Sequence, residues 1–468
     1  MVTTSTTLAK PTLLRKLGLV SATALVVSNM IGTGIFTGTG FLAAQLGTPQ
    51  MIMAIFIVGG LCAFLGAMCY SELAANFPSS GGEYVYLTKA YGPTWGFMTG
   101  WASFFAGFSA PIAAAALAFS EYLSHFFPAV GADHAMVLAG SGAYTLRLGG
   151  AQLVACVLVA LFTTLNIFGV ERTARVQNVL TGMKVLVLLA FIVFGFGMGT
   201  GSTANFSSVA TRDDPSVSLA AQFAVSLVWV YVAYSGWNAA VYVAEEIKDP
   251  ARTLPRALGI GAALVTVLYL VLNLVFFYAA PIEDMKNVAA IGSFSASHLF
   301  GPVGAGMFAG LMALSLMSTV NAMVTIGPRV YFAMARDGAF PAVAARVHPR
   351  FRTPVAAILA QAVCTMLMTM TPFPQLVLYI GMTLNFFTVL TVLSILLNRR
   401  REGWLKLGAV SFAYPAVPVL FAIVGLWMTY QGIMLQPYAA GATAVTLATG
   451  ALVYHFKIAR PAGPERLT

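Results

Sequence analysis

The stretch Asn29-Met30-Ile31-Gly32-Thr33-Gly34-Ile35-Phe36-Thr37-Gly38-Thr39-Gly40 lies within an apolar segment long enough to cross a bilayer. Four glycines and three threonines in twelve residues make a poor helix interior. Gly34 and Gly38 also have the spacing of a close helix-packing motif, so the stretch reads either as a contact surface or as an unwound turn. A second interruption, Tyr234-Ser235-Gly236-Trp237-Asn238, sits in an equally apolar stretch running from Val217 to Glu245-Glu246. Counted along the chain, the first interruption falls in apolar segment one and the second in segment six.

Composition supports the count. Of the 468 residues, 59% are apolar and only 9% charged, and the mean hydropathy is +0.84, which excludes an ordinary soluble domain of this length. Apolar runs recur from end to end, giving about twelve spans by length. They run from Leu17 to Leu46, Gln50 to Phe77, Tyr91 to Phe127, Gly149 to Gly169, Thr173 to Gly199 and Val217 to Ile247. The second six run from Thr253 to Ala280, Val303 to Arg336, Pro354 to Met370, Pro374 to Asn398, Gly408 to Tyr430 and Pro437 to Phe456.

With the N-terminus in the cytoplasm, every lysine and arginine falls on the inner side except Arg147, Arg212, Lys286 and Lys184, the last lying within a span. That asymmetry satisfies the positive-inside rule and would be scrambled by adding or dropping one span. The net charge of +10 is spread over short loops, with Arg399 to Arg401 the only dense cluster, so it reads as topology and headgroup contact and not as a nucleic-acid surface. The first 20 residues lack a cleavage site of signal-peptide type, so span one is expected to act as its own membrane signal.

Cys62, Cys69, Cys156 and Cys364 all sit in spans, where they read as packing residues. With no loop cysteine, no disulfide-linked heavy chain is expected. His125, His134, His298, His348 and His455 lie at span ends or in loops, so neither a metal site nor a cofactor is expected. A membrane enzyme lacks a catalytic cluster.

Five spans separate the two interruptions, as an inverted repeat of five plus five requires, because an odd number of helices per unit reverses the second copy in the membrane. Discontinuous helices at matching positions point to a substrate site at the membrane midplane. Freed N–H groups of a half-helix suit a carboxylate and unwound carbonyls suit an ammonium, the two groups of an amino acid.

Three signatures carry a resemblance to a known family: Ile31-Gly32-Thr33-Gly34-Ile35-Phe36, then Tyr234-Ser235-Gly236-Trp237-Asn238 with Glu245-Glu246-Ile247-Lys248-Asp249-Pro250, then Gly327-Pro328-Arg329-Val330-Tyr331 with Ala335-Arg336-Asp337-Gly338. In order and spacing the chain resembles the amino acid, polyamine and organocation superfamily, and within it the L-type amino acid transporters. The resemblance implies an all-α polytopic membrane protein with discontinuous helices one and six. Its parts would be a cytoplasmic tail at 1-16, a first five-helix repeat at 17-199, an inverted second repeat at 217-398, two further helices at 408-457 and a cytoplasmic tail at 458-468. It implies a cell-membrane location with both termini inside.

The same resemblance puts backbone groups of Ile31, Gly32, Thr33 and Gly34 against the substrate, with Ala233, Tyr234, Ser235 and Gly236 opposite and Trp237 and Asn238 just beyond the break. Many relatives carry a gating Phe where this chain has Val232, so Tyr231 or another aromatic would cover the substrate, or the outer gate is looser. Ala106, Gly107, Ser109 and Ala110 are expected near the pocket.

Lys184 lies inside span five, where an ionisable residue is costly. Snorkelling is one reading. The resemblance supplies the other: sodium-independent members have a lysine here, its ammonium standing where sodium-coupled relatives bind a cation. Carbonyls near Ile31 or Gly32 and the hydroxyl of Ser318 or Thr319 would be its partners, and its protonation could couple to the transport cycle.

Glu72, Glu245 and Glu246 read as span-end or intracellular-gate residues, Glu121 as an outer interface residue, and Asn385 as either a substrate contact or a tie between helices. The resulting expectation is a sodium-independent secondary transporter of neutral L-amino acids, by exchange or proton-coupled uptake. The alternatives are a carrier of cationic amino acids or polyamines, which needs an acid such as Glu121 in the pocket, and a membrane amino-acid sensor, which would usually carry a longer soluble segment.

Overall fold

The computed structural model describes residues 17–79, 81–141, 144–351 and 353–458; the expected tail at 1–16, and all but the first residue of that at 458–468, lie outside them. Eleven helices among the described residues are long and apolar enough to cross a membrane, and the chain is a multi-pass all-α membrane protein. Span two, Pro49–Asn76, shows how such a helix is started: Thr48 Oγ1 accepts from the Met51 N–H at 3.3 Å and Pro49 occupies the first turn.

Some expectations change in detail. Span nine is the short helix Val355–Met368, 14 residues long, so it rises only about 21 Å. Span eight belongs to a longer element, Ile291–Arg336, interrupted at Gly301, so a separate helix precedes it. Span three, Pro93–Leu123, widens into a π-helical turn at Ser103–Ser109. Outside the spans, Met136–Ser141 and Tyr144–Leu148 pair as an antiparallel hairpin that the hydropathy reading does not contain.

Two apolar cores organise the packing. The larger gathers spans one, two and seven (Pro250–Ala279) with span six, which runs Leu219–Ala244. The smaller gathers spans three, four (Gly150–Ile167) and nine with the second half of span eight, whose first half, like most of span ten (Phe373–Asn398), packs into the larger. Span seven lies along span two and the first half of span one, whereas span eight lies along spans three and five. Side chains such as Val157, Leu186, Val267 and Leu426 are more than half exposed in mid-span, an apolar belt that lipid covers. The functional cavity sits where the two cores meet.

Candidate functional site

Span one is two helices. Leu19–Met30 ends before Ile31 and Gly32, which are extended, and Thr33–Leu46 begins a new helix. No side chain caps that new N-terminus, so the N–H groups of its first turn are left for another acceptor. Span six breaks in the corresponding place: Leu219–Tyr234 ends, Ser235 is extended, Gly236 has φ 105°, and Ala239–Glu246 continues as a 3-10 helix.

The two breaks are packed on each other through a glycine from each side. A Cβ on Gly34 would lie 2.2 Å from the Ala233 Cα, and one on Gly236 would lie 2.7 Å from the Asn29 carbonyl carbon. Only glycine fits both the contact and, at Gly236, the positive φ. Gly38, by contrast, faces open space, so the GxxxG spacing is not a two-glycine contact. Tyr269 of span seven joins the breaks: its hydroxyl is 2.6 Å from Met30 O and 3.0 Å from Ala233 O, and its one proton serves one carbonyl at a time.

Lys184 is fully buried at the first break. Its ammonium donates to Ile31 O at 2.6 Å, Thr319 Oγ1 at 3.0 Å and Ser28 O at 3.4 Å, one acceptor for each of its three protons. It thereby ties span five to the unwound turn of span one and to span eight. Ser318 is not a partner; its hydroxyl accepts from Gln177 Nε2 at 3.0 Å. Beside the lysine runs a polar chain that hydropathy gives no sign of. Gln177 also reaches Ser28 and Thr181 and accepts from Asn321, which in turn accepts from Asn166 of span four.

A cavity of about 80 Å³ opens below the second break, walled by Asn29, Ser103, Gly107, Tyr231, Ser235 and Asn238 among others. Several expected site residues are placed elsewhere. Tyr234 points away, donating to Phe56 O of span two at 3.0 Å. Val232 packs against Gly381 of span ten. Trp237 joins the wall but is mostly packed edge-on against Tyr70 at 4.7 Å. Asn385 ties span ten to span eleven (Ala416–Leu435), donating to Gly425 O at 2.8 Å and Thr429 Oγ1 at 3.0 Å. Of the four residues expected from span three, Gly107 lines the cavity, while Ala106, Ser109 and Ala110 do not.

Aromatic rings also gather near the second break. Phe41 stacks on Trp229 at 4.6 Å and lies 6.3 Å from Phe373, and Tyr231 Oη is 2.6 Å from Thr388 Oγ1 of span ten. On the opposite side of the cavity Asn238 donates from Nδ2 to Glu83 Oε1 at 2.6 Å, and Tyr242 donates to Glu83 Oε2 at 2.5 Å. Burial pushes the Glu83 carboxyl above its usual range, against the pull of those donated bonds. Neither Tyr269 nor Glu83 is marked by the sequence as a site residue.

Residues 17–453 match the amino acid permease family. The chain belongs to that family. Among curated relatives of this permease, the Large neutral amino acids transporter small subunit 2 of Mus musculus is 29% identical over 94% of this chain and 80% of its own length. The Serine/threonine exchanger SteT of Bacillus subtilis is 28% identical over 88% and 89%, and the Asc-type amino acid transporter 1 of Mus musculus 28% over 94% and 80%. The permease is thus of the L-type branch of the amino acid, polyamine and organocation superfamily, and the named relatives are transporters.

The acids distribute in a way the sequence leaves open. Glu121 accepts from the Ala132 N–H at 3.2 Å in the loop after span three, away from the cavity. Glu72 is fully buried and bridged by both arms of Arg399, at 2.6 and 2.5 Å. Side chains of Glu245 and Glu246 lie outside the described residues.

Proposed function

We propose that this permease is a sodium-independent carrier of neutral L-amino acids that exchanges them across the cell membrane by alternating access. The observation that carries the reading is the Lys184 ammonium, whose three oxygen partners at the break of span one and on span eight surround the position where the resemblance puts a cation in sodium-coupled relatives. A fixed positive charge there replaces a sodium ion in tying the two elements, so no external cation is needed to complete the site.

In this reading the substrate carboxylate meets the uncapped first turn at Thr33 and Gly34, and its ammonium shares, through their remaining lone pairs, the carbonyls around Ile31 and the end of the Leu219–Tyr234 helix that also accept from Lys184 and Tyr269. The side chain enters the cavity beside Ser235, Ser103 and Asn238, and Tyr231 with the Phe41 stack takes the covering role that Val232 cannot. Residues 17–199 and 217–398 act as the two inverted repeats, with both termini and the Glu83 end of the cavity in the cytoplasm. The cysteines lie in spans, which favours a chain that works without a disulfide-linked partner.

A carrier of cationic substrates needs an acid open to the cavity. Glu121 is remote, and Glu83, which lines the cavity, has each oxygen engaged by a neutral donor of span six. Uptake of a panel of labelled amino acids into proteoliposomes, with and without internal amino acid, tests the proposal. Neutral amino acids taken up faster when the inside is loaded support exchange; transport confined to lysine, arginine or polyamines contradicts the substrate class.

A further inference from the structure

Glu83 is an acid with no part in the site as the family pattern describes it. It opens the helix Glu83–Tyr91 in the connection between spans two and three, immediately after Gly82. A Cβ at Gly82 would lie 2.5 Å from the Tyr242 ring, so the glycine lets the loop backbone press against span six just beyond its break. From there the carboxylate spans Asn238 and Tyr242, one oxygen to each. Glu83 is buried, forms no ion pair among the described residues, and lines the cavity together with both of its partners.

A buried acid held by two neutral donors, and not neutralised by a base, is a costly arrangement for a purely structural tie. Its place matters: the three residues form the wall between the cavity and the end of the molecule that carries the span two to span three loop. We propose that Glu83 is a positioning residue for translocation, acting through Asn238 and Tyr242 to latch the second half of span six against the loop helix, so that the cavity opens to the cytoplasm only when those two bonds part. The assignment of that end to the cytoplasm rests on the carrier reading above.

The test reads the latch without requiring transport. A cysteine is placed at Ser103 in the cavity wall, the four native cysteines are replaced, and a membrane-impermeant thiol reagent is applied from either face of oriented vesicles. Glu83→Ala, which removes both bonds, should raise the labelling rate from the cytoplasmic face by about a hundredfold, about tenfold for each hydrogen bond to a charged group, and leave labelling from the outer face unchanged. Glu83→Gln, which keeps a neutral acceptor for Asn238 and loses the one for Tyr242, should give an intermediate rate. Tyr242→Phe, which removes one bond and no charge, should give an intermediate rate and serves if Glu83→Ala does not fold. Unchanged labelling in both Glu83→Ala and Tyr242→Phe, or an equal rise from both faces, would overturn the proposal, since a structural tie has no reason to favour one face. The uptake panel on the parent protein separates this failure from a failure of the carrier reading.

Discussion

Lys184 presents three protons to three oxygens, two of them main-chain carbonyls that the break in span one leaves without helical partners. Removing the side chain therefore loses the charge and leaves freed carbonyls at the junction of spans one, five and eight. Lys184→Ala is expected to lower turnover about tenfold or more, the equivalent of one charge-assisted bond, while substrate binding to backbone groups persists. Turnover and binding measured on the same preparation check it, and normal transport by Lys184→Ala would return the lysine to a packing role. Lys184→Arg should be a poor substitute, because a planar guanidinium does not fit a site closed around a compact ammonium. The lysine is legible in the sequence because a charge in mid-span stands out. Its partner is not: Ser318 and Thr319 are neighbours in sequence, both buried, but about 100° apart on a helix, and only packing shows that Thr319 is the one facing Lys184. Tyr269 and Glu83 escape for a related reason, since a tyrosine in a span and an acid in a loop have no unusual pattern until distant helices are brought against them. Tyr269→Phe is expected to cost about 1 kcal/mol of stability, as for one buried hydrogen bond. Thermal unfolding of the two proteins side by side measures it.

The breaks in spans one and six are elements whose position follows from composition, because glycine and threonine runs interrupt apolar segments at matching places. Their mutual packing does not follow. Gly34 touches Ala233 and Gly236 touches Asn29, so each glycine serves a contact, and Gly236 the turn as well. Gly34→Ala should thus lower the unfolding temperature even without substrate, whereas Gly32→Ala, whose nearest neighbour is 3.4 Å away, should leave it near the parent value. Equal melting of the two variants would mean that the breaks are not packed on one another. Span nine and the helix before Gly301 show where hydropathy runs out: a window sees apolar length, and neither a short buried crossing nor a bend at one residue changes it much. At the far end of span two, Glu72 and Arg399 clamp spans two and ten, with Trp404 Nε1 and the Leu407 N–H donating to the same carboxylate at 2.9 and 3.0 Å. Breaking such a buried pair by Glu72→Ala should cost about 3–5 kcal/mol, because it strands the guanidinium. A loss below 1 kcal/mol in the unfolding free energy would show that water reaches the clamp.

In the whole molecule, one core built on spans one, two, six and seven meets another built on spans three, four and nine, span eight contributes to both, and the cavity lies along that seam. Lys184, on span five, bridges the seam by holding span one to span eight, while Tyr231 lines one side of the cavity and Glu83 with Tyr242 another. An alternating-access cycle requires these contacts to release in turn, with the substrate lowering the free energy of the state in which both breaks engage it. In the proposed carrier the lysine does permanently what a bound sodium ion does in sodium-coupled relatives. The most direct measurement is the initial rate of uptake of a labelled neutral amino acid into preloaded proteoliposomes, in sodium medium and in choline medium of the same ionic strength. Equal rates in the two media are predicted; a strict requirement for sodium would contradict the account.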